Sequence, residues 1–524
     1  MDPDSTNYPQ YRAPVQHGEA LICPAFHEAG HLISNNQRLQ QNQGLFETLR
    51  VEARSHLIAS ALAHTKEYRD VEIGDAPRSK PIVMSGHQPT LFHPGVWFKN
   101  FALSKLGKQE KATPINLVID NDVAVGSTIR VPVSDPSSGK AKYETVDFDI
   151  RGGGIPYEQS ELSDLARFES FATRATACIR PLVETPCVNP LWMHARAASQ
   201  RSQNTGTILA EARHSLETHC NLETLEVPLS QICESETFFA FALMIMEELP
   251  RFHQCYNESV EDYRVAHRIR SSSHPVPNLQ NKDDWLEAPF WIYGTANPNR
   301  RAAWIRKTGH RLVISDGGSE ERSISVTEAS KSGDVLGAIV DHQFKIRPRA
   351  LTTTMYARII LSDLFLHGIG GGKYDQLSDQ IMRRFFQIQP PAFTVISATA
   401  TLPNINQPNP DPDITELQRS IRDTVYQPEN FAEETNLPET LVKQKQVLLR
   451  QIPEKGHRKQ WHRELESIND QLASHLAAKR VMLRDELDLR QTRNQSARIL
   501  RNREHAYCLF DLNYLNQTFE SMLL

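Results

Sequence analysis

Histidines, carboxylates and a lysine cluster at three places in this chain, each just after a short apolar run. In the stretch from Pro81 to Lys108, PIVMSGHQPTLFHPGVWFKNFALSKLGK, His87 and His93 flank Pro89 and lead into Pro94-Gly95. Imidazoles so placed would stabilise charge developing on a phosphoryl oxygen, while Gly86, Gln88 and Gly95 would bind the same ligand. Next comes Asp120-Asn121-Asp122. Here Asp120 and Asn121 are binding candidates, and Asp122 is a catalytic candidate that would take a substrate amine or a metal. The third group is His367-Gly368-Ile369-Gly370-Gly371-Gly372-Lys373-Tyr374-Asp375. Gly370, Gly371 and Gly372 allow close backbone approach, and Lys373 offers a point charge to phosphate or carboxylate. Tyr374 after Lys373 excludes a Walker loop. A tight turn with an exposed lysine explains the same residues equally well.

Other residues admit two readings. His27-Glu28-Ala29-Gly30-His31 matches the H-E-x-x-H pattern that places two imidazoles on zinc, with the Glu as general base. Few residues precede it, and no third ligand is positioned by sequence. A short helix with polar surface residues is the plainer reading, so no metal is expected and His27 and His31 stand as the alternative. Arg347, within Lys345-Ile346-Arg347-Pro348-Arg349, is a binding candidate ahead of a helix-like run. Asn278, Arg300, Arg301 and Trp304 could reach a ligand, although solvated arginines beside a core tryptophan are the commoner arrangement. Arg151-Gly152-Gly153-Gly154 reads as a hinge.

The elements that must position these groups follow from periodicity. Pro81–Met84 is a buried strand, and Val96, Phe98, Phe101, Leu103 and Leu106 suit a helix. Ile115–Ile119 is the next strand, completing a βαβ unit. Consecutive βα loops emerge on one edge of a parallel sheet. His87, His93, Asp120, Asp122 and Lys373 are therefore expected around one cleft at the carboxyl ends of adjacent strands, with free helix N–H groups available to an anion. Residues 1–157 form the first part of an α/β core, with a hairpin turning at DPSSGK. Residues 158–270 are a mainly helical insertion, and 271–402 are the second part of the core with the Gly-rich loop. A Pro-rich linker (Pro403, Pro408, Pro410, Pro412) spans 403–438. The charged helical stretch 439–505 carries Trp461, Leu465, Ile468, Leu472 and Leu476 as a coiled-coil or helical-hairpin seam, pairing with a second chain or with itself. Residues 506–524 turn apolar and dock on the core.

Composition bounds the function. Of 524 residues, 39% are hydrophobic and 23% charged, with a net charge of −5, which gives no electrostatic case for nucleic acid. No apolar run is long enough to span a bilayer, and no secretory signal is visible. Seven scattered cysteines, none spaced C-x-x-C, suit reduced thiols in the cytoplasm.

Gly86-His87-Gln88-Pro89-Thr90-Leu91-Phe92-His93-Pro94-Gly95 resembles the Gly-Gln-Gln-x-x-Leu-Phe-x-Gly-Pro segment of the bacillithiol-biosynthesis cysteine-adding enzymes. Asp120-Asn121-Asp122, Arg347-Pro348 and the 367–372 segment resemble further segments of that family in the same order. Departures fall at the site: His87 stands for a Gln, Pro94-Gly95 inverts the family's order, and the acidic segment lacks its Glu and His. The resemblance implies a Rossmann-like parallel-sheet core with a helical insertion and a C-terminal coiled coil that makes a homodimer. It also implies a ligase or transferase that joins a cysteine-like amino acid or other amine to a carboxylate or sugar conjugate. The donor chemistry would draw on ATP or another nucleotide. A non-catalytic dimeric nucleotide- or metabolite-binding protein is the alternative, and the zinc peptidase reading of His27 and His31 is a third.

Overall fold

The computed structural model describes residues 8–71, 80–135, 140–150, 153–271, 276–318, 320–326, 333–403, 414–454 and 456–523. The hinge residues Arg151 and Gly152, the tip of the DPSSGK turn, and Pro408, Pro410 and Pro412 lie outside these. The chain forms two compact units, one of Met1–Val131, Thr145–Thr401 and Arg503–Leu524, the other of Pro132–Glu144 and Leu402–Asn502.

The first unit begins β1 (Glu19–Cys23), α1 (Ala29–Gln41), α2 (Glu47–Lys66), β2 (Ile82–His87), α3 (Pro94–Gln109) and β3 (Thr113–Val118). A two-stranded hairpin, β4 (Thr128–Ser134) and β5 (Ala141–Asp147), leads to α4 (Leu165–Ile179), α5 (Val188–Ser199) and α6 (Thr205–Leu216). Then come β6 (Leu225–Pro228), α7 (Leu229–Ile232), α8 (Glu236–Glu247) and α9 (Leu249–Ala266). An antiparallel stretch follows: β7 (Asn281–Lys282), β8 (Trp285–Tyr293), β9 (Arg301–Thr308), β10 (Arg311–Ser315) and β11 (Glu321–Ser325). Next are α10 (Asp334–Gly337), β12 (Lys345–Pro348), α11 (Ala350–Tyr356), β13 (Leu364–His367), α12 (Ile369–Ile381) and β14 (Phe393–Thr399). The second unit holds Pro132–Glu144 of the β4–β5 hairpin together with α13 (Ile414–Tyr426), α14 (Glu439–Arg450), α15 (Arg458–His475) and α16 (Ala477–Leu500). The chain returns to the first unit for α17 (Leu512–Met522).

The protein is thus a mixed α/β chain built on a parallel sheet. Its strand order is β1-β14-β13-β2-β3-β6, parallel throughout except for the antiparallel edge strand β1. From β2 the chain crosses to β3 on one side, whereas from β13 it crosses to β14 on the other. The winding therefore reverses between β2 and β13, the point at which open α/β sheets bind ligands. Ile82, Met84 and Ile115 share a core with Leu377 and Ile381 of α12. Asn116 and Glu226, which alternate with that face, join a polar network reached by Trp97 and Asn100 of α3. The helices following β2 and β13 thus cover opposite faces of the sheet.

Three expectations are corrected. Strand β2 runs on through Ser85 and Gly86 to His87, because its pairing with β3 continues to His87↔Val118. Gly370, Gly371 and Gly372 are not in a loop; they form the first turn of α12, with Gly368 as N-cap. A Cβ on Gly372 would sit 2.3 Å from Val395 Cγ2, so glycine lets the helix start close against β14. The charged stretch from Arg458 is not one helix, since buried Leu476 ends α15 and precedes α16. Within the second unit, Leu472 and Leu476 pack with Leu437, alongside Ile468, Leu441, Val442 and Phe431, and Trp461 Nε1 donates to the Leu448 carbonyl at 2.8 Å. Much of the seam is therefore occupied by its own unit.

Candidate functional site

A cavity of about 500 Å³ opens at the carboxyl ends of β2 and β13, where the winding reverses. Two helices begin at it. Helix α3, of 16 residues, has His93 as N-cap and Pro94 in its first turn; His93 Nδ1 accepts from the Gly95 N–H at 3.1 Å. Proline fits there because the first helical N–H has no partner within the helix. Helix α12, of 13 residues, starts at Ile369, and Gly368, Gly370 and Gly371 line the cavity. Both helix starts present a positive dipole end; the first N–H groups of α12 have no partner within the helix, whereas in α3 Pro94 has no N–H and those of Gly95, Val96 and Trp97 go to His93.

Side chains add charge of the same sign. Lys99, one turn into α3, lines the cavity although it is only 3% exposed, and its ammonium donates to the Gly86 carbonyl at 2.8 Å. Burial, with Arg213 nearby, pulls this lysine down to about 7. Arg503, from the segment before α17, donates to Ser397 Oγ at 3.0 Å and to the Ala398 carbonyl at 2.8 Å. A Cβ on Gly95 would lie 2.3 Å from that carbonyl oxygen and 2.6 Å from Arg503 Nη2, so only glycine admits the contact. Arg300 lines a third side, 5.0 Å from the Trp291 ring centre, and donates to Asp122 Oδ1 at 2.9 Å.

Several expected residues meet here: Gly86, His87, Gln88, His93, Gly95, Asn121, Asp122, Gly370 and Gly371. Their roles differ from expectation. Burial, then Lys99, lowers His87 to about 3, and burial, then Arg503, lowers His93 to about 4. Both imidazoles are therefore neutral at neutral pH. His87 Nδ1 donates to the Gln88 carbonyl at 3.1 Å, which leaves its Nε2 as an acceptor, unsuited to an anion. His93 has the opposite tautomer, since Nδ1 accepts, and its Nε2–H remains a donor. Asp122 is already engaged, accepting from Gln88 at 2.7 Å and from Arg300. Asn121 donates to the Pro348 carbonyl at 2.8 Å.

Others lie elsewhere. Asp120 is turned to Ser230, accepting from its N–H at 2.9 Å and from its hydroxyl; burial, with Glu158 near, raises its carboxyl to about 7. Arg347 is fully buried against Glu158, at 3.1 and 3.2 Å, and Glu234, at 3.1 Å, so its charge is spent inside the protein. Gly372 faces Val395, and Lys373 does not line the cavity; its carbonyl accepts from the Tyr263 hydroxyl of α9 at 3.1 Å. The Gly-rich segment reaches the site, but its lysine does not. His27 lies in a 3₁₀ turn and His31 in α1, both exposed and away from the cavity. Of the four side chains at 278–304, Arg300 alone lines the cavity; Arg301 pairs with Asp316, and Asn278 with Arg264.

Sequence reasoning missed Lys99 and Arg503, and it gave His367 no role beyond its place at the head of the Gly-rich segment. Lys99 was legible as a charge inside the apolar pattern of α3; nothing local marks Arg503. Among the described residues, His214, Glu217 and Glu226 lie close enough together for a cation. The Arg213 guanidinium already fills that role, donating to Glu217 at 2.7 Å and to Glu226. No family model matches this chain, and no curated protein does.

Proposed function

We propose that the cavity binds an oxyanion, a phosphate or carboxylate group of a small substrate, and that the protein is a ligase or transferase acting on it. One observation carries this reading: two helix N-termini and the cations Lys99, Arg300 and Arg503 converge on one cavity, where Asp122 is the one carboxylate among the described lining residues. Fixed dipoles and charges in a partly dry site favour an anion far more than they would in water. The resemblance to the cysteine-adding enzymes supports a Rossmann-like core and the joining of an amine to an activated carboxylate. ATP or another nucleotide is the natural source of that activation. The same resemblance supports a homodimer formed through the helical second unit.

Calorimetry with inorganic pyrophosphate, ATP and an amino-sugar carboxylate tests the binding step. Binding is expected, and Lys99→Met or Arg503→Ala should weaken it about tenfold or more, as loss of a charge-assisted contact of roughly 1.5–3 kcal/mol does. Lys373→Ala should leave it unchanged. Equal affinity in all three variants would overturn the reading. Turnover of a nucleotide with an amine and a carboxylate then separates an enzyme from a binding protein.

A further inference from the structure

At the end of β13, His367 Nε2 lies 2.7 Å from Asp375 Oδ2. Both side chains are almost fully enclosed, at 4% and 1% exposure, yet His367 lines the cavity. Asp375 is held on its other sides: Thr354 Oγ1 donates to Oδ1 at 2.6 Å and Arg358 Nη1 to Oδ2 at 2.6 Å. Burial alone would raise its carboxyl, but Arg358 and His367 keep it well below the usual carboxylate range. An ionised carboxylate only accepts hydrogen bonds, so Nε2 carries a proton, and in the neutral imidazole the lone pair is left on Nδ1. Nδ1 has no hydrogen-bond partner among the described residues. Gly371 lies beside it, where a Cβ would stand 2.8 Å away, so glycine at the start of α12 leaves this nitrogen uncovered.

A base oriented by a buried carboxylate, with its lone pair beside an anion-binding helix start, is the arrangement that activates a nucleophile. We propose that His367 is the general base of this site and that Asp375 is the positioning residue that fixes its tautomer. The inference rests on the oxyanion reading above and adds the proton acceptor to it. For an amine attacking an acyl phosphate, the nitrogen forms a bond to the acyl carbon while its proton passes to His367 Nδ1. The carbon–oxygen bond to phosphate breaks, and the electron pair leaves on the phosphate. The resulting imidazolium is paired with Asp375, so no isolated charge is created in the buried site. His87 is poorly suited to this role, because no carboxylate orients it and its Nδ1–H is tied to its own loop.

The test uses the intact chain labelled with ¹⁵N-histidine, with the His367 signals assigned by their loss in His367→Gln. At about pH 8.5, where an ordinary imidazole is neutral, the expected pattern is a proton on Nε2 and a bare Nδ1. In parallel, diethyl pyrocarbonate should carbethoxylate His367, read by peptide mass spectrometry, and inorganic pyrophosphate should abolish that labelling. A proton on Nδ1, or a His367 that stays unlabelled while pyrophosphate still stabilises the fold, overturns the base assignment and leaves the oxyanion reading standing. If pyrophosphate neither stabilises the protein nor protects His367, the oxyanion reading fails, and the role of His367 fails with it. Asp375→Asn, if it folds, should move the proton to Nδ1 or mix the tautomers. An unchanged pattern in that variant removes Asp375 from the proposal.

Discussion

Lys99 is the residue whose state decides what the cavity can hold. Its ammonium is enclosed under the sheet edge and titrates at about 7, far below an exposed lysine. Two consequences of opposite sign follow. An anion prefers the charged form, so pyrophosphate affinity should fall as pH rises from about 6 through 8. Stability moves the other way. The folded value lies below the unfolded one, so between them the unfolded chain binds more protons, and stability should rise with pH from about 7 toward 10. Calorimetry across pH checks the first expectation and urea melts check the second; Lys99→Met should flatten both. Such a residue is only half legible in sequence. The pattern Val96, Phe98, Phe101 shows Lys99 on a mostly apolar helix, and the sheet edge above it, which costs the lysine its hydration, is assembled from β2 and β13. His93 and Gly95 stood out in sequence as ligand contacts; that one caps α3 and the other packs against the Ala398 carbonyl follows from the fold. Lys373 misled because a lysine after glycines looks alike whether it faces the ligand or the far side of its helix.

At the scale of elements, the glycines that begin α3 and α12 differ in what they permit. Gly95 packs against the Ala398 carbonyl and Arg503, and Gly372 against Val395, whereas nothing stands within 4 Å of a Cβ on Gly370. Gly95→Ala should therefore destabilise the protein by about 1–3 kcal/mol, as overpacking does. Gly370→Ala should leave the fold intact or stabilise it by up to ~1 kcal/mol, since alanine suits a helix better. Because Gly370 lines the cavity, the same methyl should weaken anion binding. Thermal melts paired with pyrophosphate titration distinguish the two cases; a large loss of stability in Gly370→Ala would contradict this packing. The alternating and apolar runs made both strands and the βαβ logic readable. What they could not carry was where the helix after His367 begins, because three successive glycines have weak helical preference and only packing against β14 holds them in the first turn. The second unit shows the same limit. The stripe from Trp461 to Leu476 was visible, but not that Leu437 and α14 cover it or that the helix breaks at Leu476.

At the scale of the whole molecule, the helical part of the second unit is an excursion between Leu402 and Arg503, and its remaining part is Pro132–Glu144 of the hairpin. Its exposed Val447, Leu449, Ile452, Val481 and Met482 remain open to a partner. If the homodimer forms there, replacing residues 403–502 with a short Gly-Ser linker should turn a dimer into a soluble monomer by light scattering; a monomeric intact chain would remove that assignment. The deletion must stop short of Arg503, because that side chain belongs to the cavity. The same connectivity sets a timetable for synthesis. Strand β1 waits for β14, whose Thr399 pairs with Glu19, and the cavity waits longer still, until Arg503 has left the ribosome. A nascent chain that has finished every strand of the sheet still lacks one of the cations lining its pocket. If the cavity binds an anion, ligand added to a translating chain should thus gain full affinity only after the helical excursion has been made and passed.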